Sequence, residues 1–187
     1  MIIAHFLLDV NESNAYIVAC EETREALLVD AAAFPPRMPQ FLEKHGLTLT
    51  KVFITHDHYD HTGALTDIMA RYSVTVYSGS GQAGGHAAQR VGQDSAVSLA
   101  KNQGRVIELP GHTPGSVGLV FPGMVFTGDA LFAGSVGGTF SDVNQDTEIA
   151  AIRAHILTLP NDTRIYPGHG PASTVAVEKN HNPFLQR

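Results

Sequence analysis

An α/β fold built in layers is what this chain of 187 residues predicts. Short apolar runs of β type lead at both ends, a strand–helix–strand alternation fills the middle, and turn residues separate the runs. That order suggests two sheets with helices outside them. With 43% hydrophobic residues the chain can bury one full core, so a single domain over residues 1–187 is expected.

The first strands expected are Ala15–Ala19 and Ala26–Asp30, joined as a hairpin through the polar Glu21–Glu25. Pro35 and Pro36 open a helix that runs to about Lys44 and stops at Gly46. Lys51–Ile54 is a strand. Thr62 and Gly63 begin a helix through about Tyr72, with Leu65, Ile68 and Met69 at helical spacing. Val74–Tyr77 is again a strand, and the Gly-, Ser- and Gln-rich stretch from Ser78 to Gly92 reads as a loop. Strand-like runs follow at Arg105–Leu109, Ser116–Phe121 and Met124–Thr127. Glu148–Leu159 is an amphipathic helix, Arg164–Tyr166 a short strand, and Val175–Lys179 a last helical turn.

A net charge of −6 argues against a general nucleic-acid or anionic-membrane surface. Met1–Asp9 carries no basic segment of the kind that opens a signal peptide, and no apolar run is long enough to span a bilayer. The single cysteine, Cys20, excludes an internal disulfide and sits in an apolar stretch, where a buried, inert thiol is expected. A cytoplasmic protein with a small-molecule partner is the resulting expectation.

Directly after the strand Lys51–Ile54 comes Thr55-His56-Asp57-His58-Tyr59-Asp60-His61, with three imidazoles and a candidate carboxylate ligand in seven residues. Folding does not require such a density of titratable nitrogen, whereas imidazole and carboxylate are the ligands zinc and similar divalent metals prefer. With ten His and ten Asp in the chain, this spacing arises by chance in on the order of one chain in a thousand, which places the polar-turn alternative far behind. Three further ligand-type residues stand in glycine-flanked turns after β-type runs: His112 in Pro110–Ser116, Asp129 in Phe126–Ala130 and His169 in Tyr166–Pro171. Glycine lets the backbone turn sharply and approach a ligand closely. Alone, each is as readily a turn residue; with the first cluster they make a set of seven. His45, before Gly46, suits a helix C-terminus. His155 reads as a packing or surface residue, His5 and His181 lie near the termini, and His86 reads as solvent-facing.

The sequence Thr-His-x-His-x-Asp-His, then Gly-His-Thr-Pro-Gly-Ser, Thr-Gly-Asp and Pro-Gly-His resembles the metallo-β-lactamase-fold hydrolases, and within them the short glyoxalase II-like branch, from about Asp30 to Leu185. The resemblance implies a four-layer αββα sandwich of two mixed sheets flanked by helices, with a two-metal site at the edge the sheets share. It implies that His56, His58 and His112 hold one metal, that Asp60, His61 and His169 hold the second, and that Asp129 bridges them. Asp30 is implied as a supporting residue behind the ligands. The true β-lactamases of the fold commonly differ inside the first motif or in the second set, while the presence of His61 here resembles the thioesterase and lactonase branches.

The implied cofactor is a pair of divalent ions, zinc first, with iron or manganese as alternatives. The implied reaction is thioester hydrolysis of the S-D-lactoylglutathione type by a metal-bridging hydroxide, with Asp60 and Asp129 as the carboxylates nearest the chemistry. Such a site keeps a net positive character suited to a developing oxyanion. A lactonase or other carboxylic ester hydrolase is the alternative, and a persulfide dioxygenase with one iron on His56, His112 and Asp129 is the alternative from a different class. The longer glutathione thioesterases carry basic groups in a C-terminal helical region, whereas only Lys179 and Arg187 are cationic after His169. The short relatives often place an arginine where Gly138 stands and an acidic residue near Phe140, so the residues that recognise the substrate are left unassigned.

Overall fold

The computed structural model describes residues 1–186. The first sheet contains β1 (Ile2–Leu7), β2 (Asn14–Ala19), β3 (Glu25–Val29), β4 (Thr48–Ile54) and β5 (Thr75–Ser78). After a small hairpin, β6 (Gln82–Ala83) with β7 (His86–Ala87), β8 (Gln89–Arg90) completes it. Its order is β1-β2-β3-β4-β5-β8, antiparallel through β3 and parallel from β3 onward. The second sheet contains β9 (Ala96–Leu99), β10 (Asn102–Glu108), β11 (Val117–Phe121) and β12 (Met124–Gly128). Beyond the hairpin β13 (Leu131–Phe132) and β14 (Ser135–Val136), it takes up β15 (Arg164–Pro167) and β16 (Ser173–Thr174). The order is β16-β15-β12-β11-β10-β9, and only β12–β15 pair in parallel. The helices are α1 (Arg37–Lys44), the one-turn α2 (Tyr59–Thr62), α3 (Leu65–Arg71), α4 (Asp142–His155) and α5 (Val175–His181).

The layering follows from the two-residue period of a strand. Along β2, Ala15, Ile17 and Ala19 point to a cluster shared with Met38 and Leu42 of α1 and Leu65 and Ile68 of α3. Tyr16, Val18 and Cys20 point the other way, into a cluster with Val106, Leu119, Phe121 and Phe126 of the second sheet. The far face of that sheet, with Ile107, Val125 and Ile165, packs on Ile152 of α4 and Val175 of α5. Three apolar layers thus separate helices, sheet, sheet and helices, the αββα sandwich expected. β2 is buried at all six residues, as it must be with a helix layer on one face and a sheet on the other.

Several boundaries differ from the sequence reading. β1 lies ahead of the first expected strand; as an edge strand it is only half buried, and its pattern does not stand out. The 78–92 loop contains β6, β7 and β8, each two residues long, and β9 precedes the strand expected at Arg105, which begins at Asn102. The hairpin of β13 and β14 was not anticipated. The helix expected from Thr62 to Tyr72 is two pieces, α2 and α3, interrupted at Gly63 and Ala64. α4 begins six residues before Glu148, because the Ser141 hydroxyl accepts the Asn144 N–H at 3.2 Å as an N-cap, and it ends at His155 rather than Leu159. Cys20 is buried. No helix of the described residues is long and apolar enough to cross a membrane.

The inter-sheet layer is where truncation should cost most. Phe121→Ala is expected to lower unfolding free energy by about 3–5 kcal/mol, since Phe121 is 1% exposed between the sheets. Phe140→Ala, at a residue 93% exposed, is expected to stay within about 0.5 kcal/mol of the parent. Urea denaturation of both variants measures the contrast.

Candidate metal centre

Strand direction gathers the candidate ligands. β3 and β4 run parallel, so Asp30 at the end of β3 stands beside Thr55 and His56 at the end of β4. α2 then turns Asp60 and His61 back toward that edge. In the second sheet β12 and β15 run parallel, and their carboxyl ends deliver Asp129 and His169, while His112 lies in the turn between β10 and β11. The sheets are joined at this edge: Asn14 N–H donates to Gly168 O at 2.7 Å and Val117 N–H to Thr55 O at 2.9 Å. Two glycines permit the close approach. A Cβ on Gly168 would lie 2.0 Å from Asp129 Oδ1, and one on Gly128, where φ is +52°, would lie 2.4 Å from Thr55 Oγ1.

All seven sequence-predicted ligands meet here, and Asp30 stands behind them. Ligand atoms of His56, His58 and His112 lie within 4.8 Å of one another, as do those of Asp60, His61 and His169. Asp129 stands between the sets. Its Oδ2 is 3.9 Å from His56 Nε2, 3.8 Å from His112 Nε2 and 3.5 Å from His169 Nε2, and its Oδ1 is 3.4 Å from His61 Nε2. His169 Nε2 is also 3.5 Å from Asp60 Oδ2.

The proton inventory shows what this arrangement lacks, with tautomers assigned from the hydrogen-bond network. Thr55 Oγ1 donates to the Asp30 carboxylate, at 2.9 and 3.1 Å from its oxygens, so at 3.1 Å it accepts from His56 Nδ1–H. His112 Nδ1 lies 2.7 Å from the Gly138 carbonyl oxygen, which can only accept. Nε2 of both histidines therefore carries a lone pair, and both lone pairs face His58 Nδ1, at 3.0 and 3.1 Å. His58 can offer at most one proton there. In the second set His61 Nδ1–H donates to Asp30 Oδ2 at 2.8 Å. His61 Nε2 and Asp129 Oδ1 are buried and without a hydrogen-bond partner. A buried ring nitrogen facing a carboxylate oxygen calls for a proton or a metal cation between them. An imidazole and carboxylate donor set fits a divalent metal, and ring nitrogens anchored from behind are the usual support for metal-ligating histidines.

Electrostatics agree with that division of roles. Burial, reinforced by the charge of His61, pushes His56 down to about 2 and keeps it neutral, as a ligand must be. Burial also lowers His58. For His61 burial works against the charge, but Asp30 and Asp129 outweigh it and hold the metal-free imidazole up to about 10. Asp129 would be raised by burial, yet His61 and the other histidines bring it down to about 2.

Beyond Asp30, the sequence reading missed two supports. Asn11 Nδ2 donates to Asp60 Oδ2 at 3.1 Å from a left-handed backbone (φ +50°) in the β1–β2 turn. Glu148, fully buried on α4, accepts the His112 N–H at 3.1 Å, and burial raises its carboxyl to about 8. No local signal marks either residue; Glu148 reads as a polar helix position until the fold buries it. His86 bonds Thr66 at 2.8 Å, His5 bonds Asn14 at 2.6 Å, and His45 is the C-cap of α1.

Residues 8–99 match the family model described as the metallo-beta-lactamase superfamily. YqgX of Bacillus subtilis, a probable metallo-hydrolase, is 30% identical over 93% of this chain and 92% of its own length. The hydroxyacylglutathione hydrolase GloC of Haemophilus influenzae is 30% identical over 88% of this chain and 89% of its own. Among solved structures, ETHE1 from Myxococcus xanthus matches with a TM-score of 0.89 at 30% identity, covering 100% of this chain and 86% of that one.

Removing the residue between the two sets should release metal from both. Asp129→Ala is expected to hold less than one metal per chain after desalting, while His86→Ala keeps the parent's content; elemental analysis reads both. Metal uptake should also expel a proton. A metal at His61 Nε2 must displace the proton the metal-free imidazole keeps up to about 10. Apparent affinity should therefore rise about tenfold per pH unit from neutrality toward that value and then level. Titration calorimetry at pH 7.5 in two buffers of different ionisation enthalpy measures the released proton.

Proposed function

This chain belongs to the metallo-beta-lactamase superfamily, and from that premise we propose that it is a thioester hydrolase of the hydroxyacylglutathione hydrolase type. The observation that carries the reading is the pair of three-residue donor sets on either side of Asp129, two centres where a structural metal site would be one closed cage. His56, His58 and His112 would hold one divalent ion, Asp60, His61 and His169 the other, and Asp129 would touch both. Zinc is the metal this donor set suits first, with iron or manganese as alternatives. When bound, the ions supply a Lewis acid for a carbonyl oxygen and bring the pKa of water toward neutrality.

The chain's own residues supply positioning. Asp30 fixes the His61 tautomer directly and, through Thr55, that of His56. The Gly138 carbonyl does the same for His112. Asn11 holds the Asp60 carboxylate from its outer side. A thiolate with a pKa near 8.5 departs without a dedicated proton donor, so a thioester suits this site better than an alkyl ester. Similarity over nearly the full length of GloC supports the same substrate class.

A lactonase or other carboxylic ester hydrolase would use the same groups. A persulfide dioxygenase is the reading from another class, favoured by the convergence of His56 and His112 on Asp129 Oδ2 at 3.9 and 3.8 Å.

Thioesters should be cleaved more than about tenfold faster than matched alkyl oxygen esters, a barrier difference above about 1.4 kcal/mol; equal rates would contradict thiolate departure. Protein purified without chelator should contain two metals per chain. A single iron, with oxygen consumed in the presence of a persulfide, would select the dioxygenase instead.

A further inference from the structure

A cavity of about 350 Å³ opens from His56 and His58, walled by Asp57, by Ser78 at the end of β5 with Gly79 and Ser80, and by Thr113, Pro114 and Gly115 of the His112 turn. That volume is at the small end for ligand sites. The side-chain hydroxyls of the wall are already engaged. The Ser78 and Ser80 hydroxyls both donate to the Gln82 carbonyl, at 2.9 and 2.7 Å. The Thr113 hydroxyl pairs with Ser116 at 2.8 Å, and the Asp57 carboxylate accepts the Gly84 N–H at 2.6 Å. What remains is mostly carbon surface, with one carboxylate, the two imidazoles and no lysine or arginine.

We propose that this cavity is the acyl pocket, and that it takes an uncharged aliphatic acyl group longer than lactoyl; the inference rests on the thioesterase reading. The reacting carbonyl must lie against the His56, His58 and His112 set, and two of those imidazoles line the cavity. Thiol carriers are long and polar, and this wall offers them no lysine or arginine and no free side-chain hydroxyl. An anionic acyl tail would be desolvated without a partner and would face Asp57. A lactoyl group would leave much of the cavity to water, and its hydroxyl would find the wall's hydroxyls already taken. Extra methylenes gain there by displacing that water.

Straight-chain hydroxamic acids from acetyl to octanoyl test the pocket independently of turnover, because the hydroxamate head binds metal and the tail takes the acyl position. In calorimetric titrations of the metal-loaded enzyme, affinity should rise about three- to fourfold per methylene until the cavity is full. Succinic monohydroxamate should bind at least tenfold more weakly than the uncharged acid of equal length. A Cβ at Gly115 meets only Ser80, at 3.4 Å and beyond, so Gly115→Ala and the bulkier Gly115→Val should fold with unchanged metal content and end the rise at shorter tails. Affinity independent of tail length, a preference for the carboxylate tail, or an identical series in both Gly115 variants would overturn the assignment. Acyl thioesters of N-acetylcysteamine, assayed alongside, separate the two ideas. No hydrolysis of any of them, with the hydroxamate gradient intact, would sink the thioesterase reading and leave the apolar pocket. Hydrolysis with kcat/KM flat across chain length would sink the pocket.

Discussion

Lone pairs outnumber protons at the edge where the two sheets meet. His56, His58 and His112 turn three ring nitrogens toward one point, and His61 Nε2 faces a carboxylate oxygen in a dry environment. A lone pair held 3.4 Å from a carboxylate oxygen is repelled by it, so the geometry calls for positive charge. Without metal, a proton on His61 supplies part of it, which is why that imidazole titrates so high. A divalent ion supplies it more fully, so metal occupancy and the stability of this edge are one equilibrium.

Asp30 is the anchor behind the cluster. Its carboxylate accepts the Thr55 N–H, the Thr55 hydroxyl and His61 Nδ1, and so sets the orientation of residues belonging to both donor sets. It does this with φ at +57°, a conformation disfavoured for a residue with a Cβ and sustained by those bonds. On the opposite side Glu148 accepts the His112 N–H, so the second sheet's loop is braced by a buried acid from α4. Both supports are carboxyl groups out of contact with solvent, and each steers a ligand toward the centre.

The sandwich makes such convergence possible. Ligands come from both sheets, and the contacts of Tyr16, Phe126 and Tyr166, with ring centroids 5.2–5.4 Å apart, lock the sheets together beneath the site. The Tyr16 hydroxyl reaches Pro167 O at 2.8 Å, tying a residue of the first sheet to the strand end that carries His169. Ligand spacing is therefore set by a rigid core, and the same edge leaves room beside His58 for a cavity between two loops that the sheets bring face to face.

How much was legible in the chain depended on whether the cause was local. The density of histidine in residues 55–61, the glycines around His112, Asp129 and His169, and the apolar runs of β2 and β3 are local, and each pointed to its ligand or its strand. Edge strand β1, the early start of α4 at its Ser141 cap and the two-residue strands within 78–92 were not legible, because weak local preferences are overruled by pairing partners distant in sequence. Glu148 and Asn11 act on ligands 36 and 49 residues away in the chain, and nothing in their own neighbourhoods announces it. Which nitrogen of each histidine faces inward, and which carbons wall the cavity, follow from hydrogen bonds and contacts that exist only once both sheets have closed on one core.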